Sequence, residues 1–259
     1  MKRFTGLIAA SMALGIAGQA SAATIGFETD EFGAALGNGK KLASEYATNF
    51  FTIGSGGPGH LGPAIFDSDN PGPNTSGGDP DLIVNLGNIV ILQNDQFPTE
   101  SPPGFFQTPN DEAGFNGGRG EVIFSFNSPV TLTSIDLVDI NGGGNVIVTL
   151  LDTALNTRTY SVPDKWTGDI TVDGPPGFQT LDLTTLANQT GIGPGNPDAT
   201  AVEDAGFSAA NVQTLTLSFD GSAGLDNLVF VPEPSSVLIL GLAAAVMVRR
   251  RRRRETLGL

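Results

Sequence analysis

Short runs in which apolar β-branched or aromatic residues alternate with polar ones recur along this chain, each bounded by Gly, Pro, Asn or Asp, and this pattern most limits what it can fold into. Residues 121–126 (EVIFSF), 130–137 (VTLTSIDL), 146–151 (VIVTLL) and 212–219 (VQTLTLSF) carry it most clearly. A period of two turns one face of an extended segment to a core and the other to water, which a helix cannot do. Shorter runs occur at 24–27, 51–53, 89–92, 158–162, 178–183 and 225–231. Together they predict an all-β fold, a single antiparallel β-sandwich of jelly-roll-like form. Its long Gly/Pro/Asp-rich loops are expected at 54–87 and 93–120, and helical turns only at 34–46 and 204–210. No period of 20 to 50 residues is present, which excludes solenoids and propellers.

Composition narrows the chemistry. Among 259 residues there is no cysteine and a single histidine, His60. Disulfides, thiolate zinc sites, iron–sulfur clusters, a cysteine nucleophile and a multi-histidine metal centre are therefore excluded. His60 stands in a Gly- and Pro-rich stretch with no Gly-x-Ser-x-Gly elbow near it, and the sequence assigns it to a solvated loop.

The two ends differ from the middle. Residues 1–23 read as a cleaved signal peptide: Lys2 and Arg3, an apolar stretch, then Ala20, Ser21 and Ala22 as small residues before the cleavage point. At the other end Pro232, Glu233 and Pro234 precede an apolar run, 237–248, and six arginines that begin with Arg249, Arg250, Arg251 and Arg252. Twelve apolar residues give only about 18 Å of helix, so this short C-terminal membrane helix needs its flanking serines, a thinned bilayer or snorkelling arginines to span. The arginines should remain cytoplasmic by the positive-inside rule. The expected divisions are signal peptide 1–23, exported β domain 24–231, sorting segment 232–254 and tail 255–259.

A Pro-Glu-Pro triplet, a short apolar helix and an arginine cluster, in that order, resemble the PEP-CTERM sorting signal of Gram-negative bacteria. The resemblance covers 231–254 and implies Sec-dependent export, transient insertion in the inner membrane, and processing by an exosortase at or near Pro232, Glu233 and Pro234. It further implies a final location at the cell surface or in the extracellular matrix, and an association with exopolysaccharide, biofilm or floc.

Within 24–231 five basic residues, Lys40, Lys41, Arg119, Arg158 and Lys165, face 25 acids, a balance near −20. Nucleic acid and anionic surfaces would be repelled, whereas cations and neutral sugars are compatible partners. Two groups of acids could bind calcium, a hard cation that takes oxygen ligands. One is the glycine-rich stretch with Asp67, Asp69, Asp79 and Asp81; the same residues also suit turns closed by Asx hydrogen bonds. The other is Glu28 with Asp226, in the runs IGFE and GLDNL, which resemble terminal strands of jelly-roll carbohydrate-binding modules. Pairing of those strands would bring the two carboxylates together, where they repel unless a cation or a shared proton intervenes. Trp166, the one tryptophan, is the candidate platform for stacking on a sugar ring, or else a cover for one end of the sandwich. The sequence points to a non-enzymatic surface or matrix protein, with a polysaccharide-acting hydrolase or a purely structural protein as alternatives. A hydrolase would need only two suitably spaced carboxyl groups, which no sequence motif fixes.

Overall fold

One strand, β5 (Gly120–Val138, 19 residues), runs through the middle of the protein and is paired along both edges. The computed structural model describes residues 21–57, 60–69, 82–95, 98–111, 120–140, 144–168, 170, 173–193 and 195–233. The first twenty residues of the expected signal peptide, Asp79, Asp81, Pro234, the apolar run 237–248 and the arginine cluster lie outside them. Among the described residues no helix is long and apolar enough to cross a membrane.

The other strands are β1 (Ala23–Ile25), β2 (Phe51–Gly56), β3 (His60–Asp67), β4 (Asn88–Asn94), β6 (Val146–Asp152), β7 (Thr157–Val162), β8 (Phe178–Asp182), β9 (Thr200–Glu203), β10 (Val212–Phe219) and β11 (Gly224–Pro232). All pairings between them are antiparallel, and the eleven strands form one hydrogen-bonded sheet in which β5 is common to two sets of neighbours. Its first half lies between β2 and β10, with β6, β7 and β9 following outward. Its second half lies between β8 and β11, with β4 and β3 beyond. β1 occupies the remaining length of β11, Ala23 opposite Phe230 and Ile25 opposite Leu228.

The core follows from the alternation. Val122, Phe124, Phe126, Val130 and Leu132 of β5 face one cluster together with Leu215 and Leu217 of β10, Val148 of β6 and Phe230 of β11. Rings concentrate at one end of it: Phe51 lies 5.2 Å from Phe124 and 5.6 Å from Phe126, centroid to centroid, edge to face. β4 is buried along its whole length because its second face packs a smaller cluster of Ala64, Phe66, Ile89, Ile91 and Phe106.

Five expectations are corrected. The runs 121–126 and 130–137 are one strand, because Asn127, Ser128 and Pro129 do not end it but mark where it exchanges neighbours. The loop 54–87 contains β3, whose Gly62 and Pro63 disguise it and sit at a register shift in its pairing with β4. His60 consequently opens a strand, with Nε2 against the Gly56 carbonyl. Residues 34–46 form no helix: Gly39, at φ +78°, has the carbonyl of Phe106 where a β-carbon would stand, and residues 39–42 run beside β3, their backbone bonded to Pro63 and Ile65. Of 204–210 only the end enters a single 3-10 turn, Ala209–Asn211.

Candidate functional site

The pairing of β1 with β11 brings the chain's first and last carboxylate candidates to one place. In β11, Leu225 and Leu228 both reach the core, three residues apart instead of two. Register with β5 shifts there, Asp226 standing opposite Asp136 and Val229 opposite Ser134. The extra residue makes a β-bulge, and Asn227 takes a left-handed backbone with φ +47°, a conformation Asn tolerates better than most residues.

Asp226 is 1% exposed, and its Oδ1 has no hydrogen-bond partner. Across the strand Asp136 accepts from Thr180 Oγ1 at 2.5 Å and from Asn227 Nδ2 at 2.9 Å. Burial pushes the Asp226 carboxyl up to about 8, a bond from the Asn227 backbone opposes this, and the negative charges of Asp136 and Glu28 add to the rise.

Glu28 approaches from the segment after β1. Its Oε1 accepts from the backbone of Asn88 at 2.8 Å, and Asn88 ties the same segment down by donating from Nδ2 to the carbonyls of Leu36 and Phe27. Phe27, between Gly26 and Glu28, is itself left-handed at φ +56° and fully buried. Two glycines make the room. A β-carbon on Gly26 would stand 3.4 Å from Asn227 Oδ1 and 4.0 Å from Asp226 Oδ1; one on Gly87, at φ +79°, would fall 2.0 Å from Glu28 Oε1. Oxygens of Asp226 and Asn227 thus converge on the bare backbone of Gly26, and the Glu28 carboxylate sits on that of Gly87.

A cavity of about 300 Å³ opens beside this place, lined by Gly26, Phe27, Glu28, Asp30, Tyr46 and Phe50 among others. Tyr46 donates to the Thr29 carbonyl at 2.7 Å, and burial, followed by the charges of Glu45, Asp30, Asp226 and Glu28, raises its phenol well above the ordinary value. Asp30 and Glu31 are occupied by backbone: Asp30 Oδ1 accepts from Phe32 and Ala34, and Glu31 from Thr48 and Asn49.

Asp67 closes an Asx turn, and Asp69 bonds to a distant segment of backbone. Asp67 Oδ1 accepts from the Asp69 backbone at 3.1 Å, and Asp69 Oδ1 from that of Gly87 at 3.1 Å. Asp69 and Glu28, one carboxylate from each expected cation site, thus meet at one peptide step, with Asp69 bonded to Gly87 and Glu28 to Asn88. Among the described residues no group of three or more His, Asp or Glu side chains is placed to hold a metal ion. What the chain offers here is Glu28 and Asp226, with Asp136 opposite Asp226 and neutral oxygens around them.

Trp166 is not an exposed platform. It is completely buried within the main core cluster, its Nε1 donates to the Gln189 carbonyl at 2.8 Å, and Gly191 packs against its ring edge. Gly26, Gly87, Asn88, Asp136 and Asn227 escaped sequence reasoning, although the Asp-Asn pair inside an apolar run at 225–231 carried a legible sign of a bulge.

The C-terminal end of the described chain continues from this site. Pro232 closes β11 opposite Val130, and Glu233 follows it. Residues 230–253 match the family model of the PEP-CTERM protein-sorting motif, as expected of an exosortase substrate. No curated protein matches the chain.

Without divalent cations the Asp226 carboxyl should keep its proton in the folded state between its ordinary value of 3.8 and about 8, while the unfolded chain has lost it. Its contribution is then complete below pH 4 and is lost as pH rises through about 8. Thermal midpoints in chelator should fall across this window, and Asp226→Asn should flatten that part of the profile.

Proposed function

We propose that this is an exported, non-enzymatic protein of the cell surface or extracellular matrix, sorted by an exosortase and associated with exopolysaccharide through a calcium-stabilised β domain. The observation that carries the reading is the sorting motif at 230–253, which begins within the last strand of the domain. It implies a chain handed to a membrane-embedded processing enzyme after the β domain has crossed. The domain is read as a jelly-roll-like sandwich because side chains from both halves of β5 enter a single core.

Calcium is supported by the state of Asp226. A buried carboxylate with an orphaned oxygen, beside two further acids, costs several kcal/mol unless a cation or a proton compensates it. Asp226 and Glu28 would be its charged ligands and Asn227 Oδ1 a neutral one; such an ion supplies positive charge and an oxygen-rich tie between the ends of the domain. Asp67 is left to its turn and Asp69 to the Gly87 backbone.

The acid excess fits neutral sugar or a cation-bridged polysaccharide better than any polyanion approached directly. A hydrolase would need two carboxyls that a sugar can reach, and Asp226 and Asp136 are 1% and 7% exposed.

Three outcomes are expected. Deleting residues 232–254 should abolish processing and surface distribution, read by chain mass and cell fractionation; unchanged behaviour would remove the sorting assignment. Calcium at a hundredfold excess over its Kd should stabilise the folded protein by about 2.7 kcal/mol, seen as a raised thermal midpoint. Glu28→Gln and Asp226→Asn should erase the gain and Asp69→Asn should not. Incubated with exopolysaccharide, the purified protein should bind saturably and release no reducing ends, and turnover would favour the hydrolase.

A further inference from the structure

Glu233, the middle residue of the sorting triplet, is held by the folded domain. β11 stays paired with β5 as far as Pro232, opposite Val130, and one residue further the Glu233 N–H donates to the Pro129 carbonyl at 3.2 Å. The side chain returns to the same strand, where its Oε1 accepts from Thr131 Oγ1 at 2.7 Å in a half-buried contact. Pro232 brings no N–H, so these two bonds carry the hold past the end of the strand. On the opposite edge of β11, β1 stops at Ala23 beside Phe230.

We propose that Pro129 and Thr131 latch the sorting triplet to the edge of β5, so that a processing enzyme acts on the fraction of molecules whose last residues of β11 have come away. This rests on the reading of the chain as an exosortase substrate. An enzyme that takes a peptide segment in extended form needs its backbone groups and side chains, and here Glu233 has committed both its N–H and its carboxylate to β5. The apparent affinity for such a segment is the intrinsic one reduced by the open fraction, and processing follows that fraction when opening is faster than cleavage. The latch exists only after β5 and β11 have paired, so it distinguishes a newly delivered chain from a folded one.

The test is a pulse-chase of the full-length chain in cells with its exosortase, comparing wild type, Thr131→Val and Thr131→Ser. Valine keeps the shape of the side chain and removes the hydroxyl, and should speed processing about three- to tenfold, the range set by losing one ordinary hydrogen bond in a half-buried contact. Serine keeps the hydroxyl and should leave the rate as in wild type. Equal rates for valine and wild type would overturn the latch. If processing proceeds without the exosortase or without the triplet, the sorting reading itself fails; if it requires both yet ignores Thr131, the latch alone fails. Hydrogen exchange on the full-length protein in detergent covers the case in which the valine variant folds poorly. The Glu233 amide of the wild type should be protected, and exchange there at the rate of an unstructured peptide would overturn the proposal independently of any variant.

Discussion

The double pairing of β5 is the constraint on which the rest of the structure depends. A 19-residue strand paired on both edges in each of its halves has no freedom of register, because a slip of one residue would turn Val122, Phe124 and Phe126 out of the core on one half and Leu132 on the other. Four strands take their positions directly from it: β2 and β10 from the first half, β8 and β11 from the second. The aromatic cluster around Phe51 then fills the space that the first half and β11 enclose. Asn127 and Pro129, which a propensity reading takes for a break, are tolerated where neighbours change: Asn127 still donates its N–H to Phe50, and the Pro129 carbonyl still accepts from Glu233.

The bulge at Asn227 converts this regular frame into a site. Without the extra residue, Asp226 would continue the simple alternation of β11; with it, Asp226 and Asn227 both occupy the step between two core leucines, facing Asp136 across the strand and Gly26 from the side. Burying carboxylates opposite one another is unfavourable by itself, and the side chains of Thr180 and Asn227 donate to Asp136, leaving Asp226 with the Asn227 backbone and an unpartnered Oδ1. Two left-handed residues, Phe27 and Asn227, lie within the small region where β1 gives way to Glu28, a concentration of backbone cost that is characteristic of sites held in shape by their surroundings.

Much of this frame was legible in the sequence wherever one face of a strand meets water. The run 212–219 is β10 to the residue, and 146–151, 158–162 and 225–231 each fall within a residue or so of β6, β7 and β11. β3 was hidden because it is covered on both sides, so Ala64, Ile65 and Phe66 do not alternate, and because Gly62 and Pro63 read as punctuation. β9 was hidden for the opposite reason: nearly all of it is exposed, and Thr200 to Glu203 bears no apolar stripe. The meeting of Glu28 with Asp226 could be anticipated from the pairing of terminal strands. Its supports could not, because Gly26, Gly87 and Asn88 matter through contacts with residues about 60 or 200 positions away. Trp166 shows the limit of reading by composition, since polar sequence neighbours say nothing about a loop folded over the ring.

Among the described strands β11 is last in sequence but interior in the sheet, and this matters for a chain that emerges amino end first. A chain delivered amino end first can build β6, β7, β9 and β10 onto the first half of β5, and β8 onto the second, while the slot between β4 and β5 stays open. Until residues 224–232 arrive, that slot presents two unpaired strand edges beside an uncovered apolar floor, the kind of surface that pairs readily with a neighbouring chain. The final strand acts as a key: its insertion completes the ladder, seats β1 and closes the core in one step. The interval during which the domain can be captured by another molecule is therefore set by the time its own C-terminal strand takes to appear.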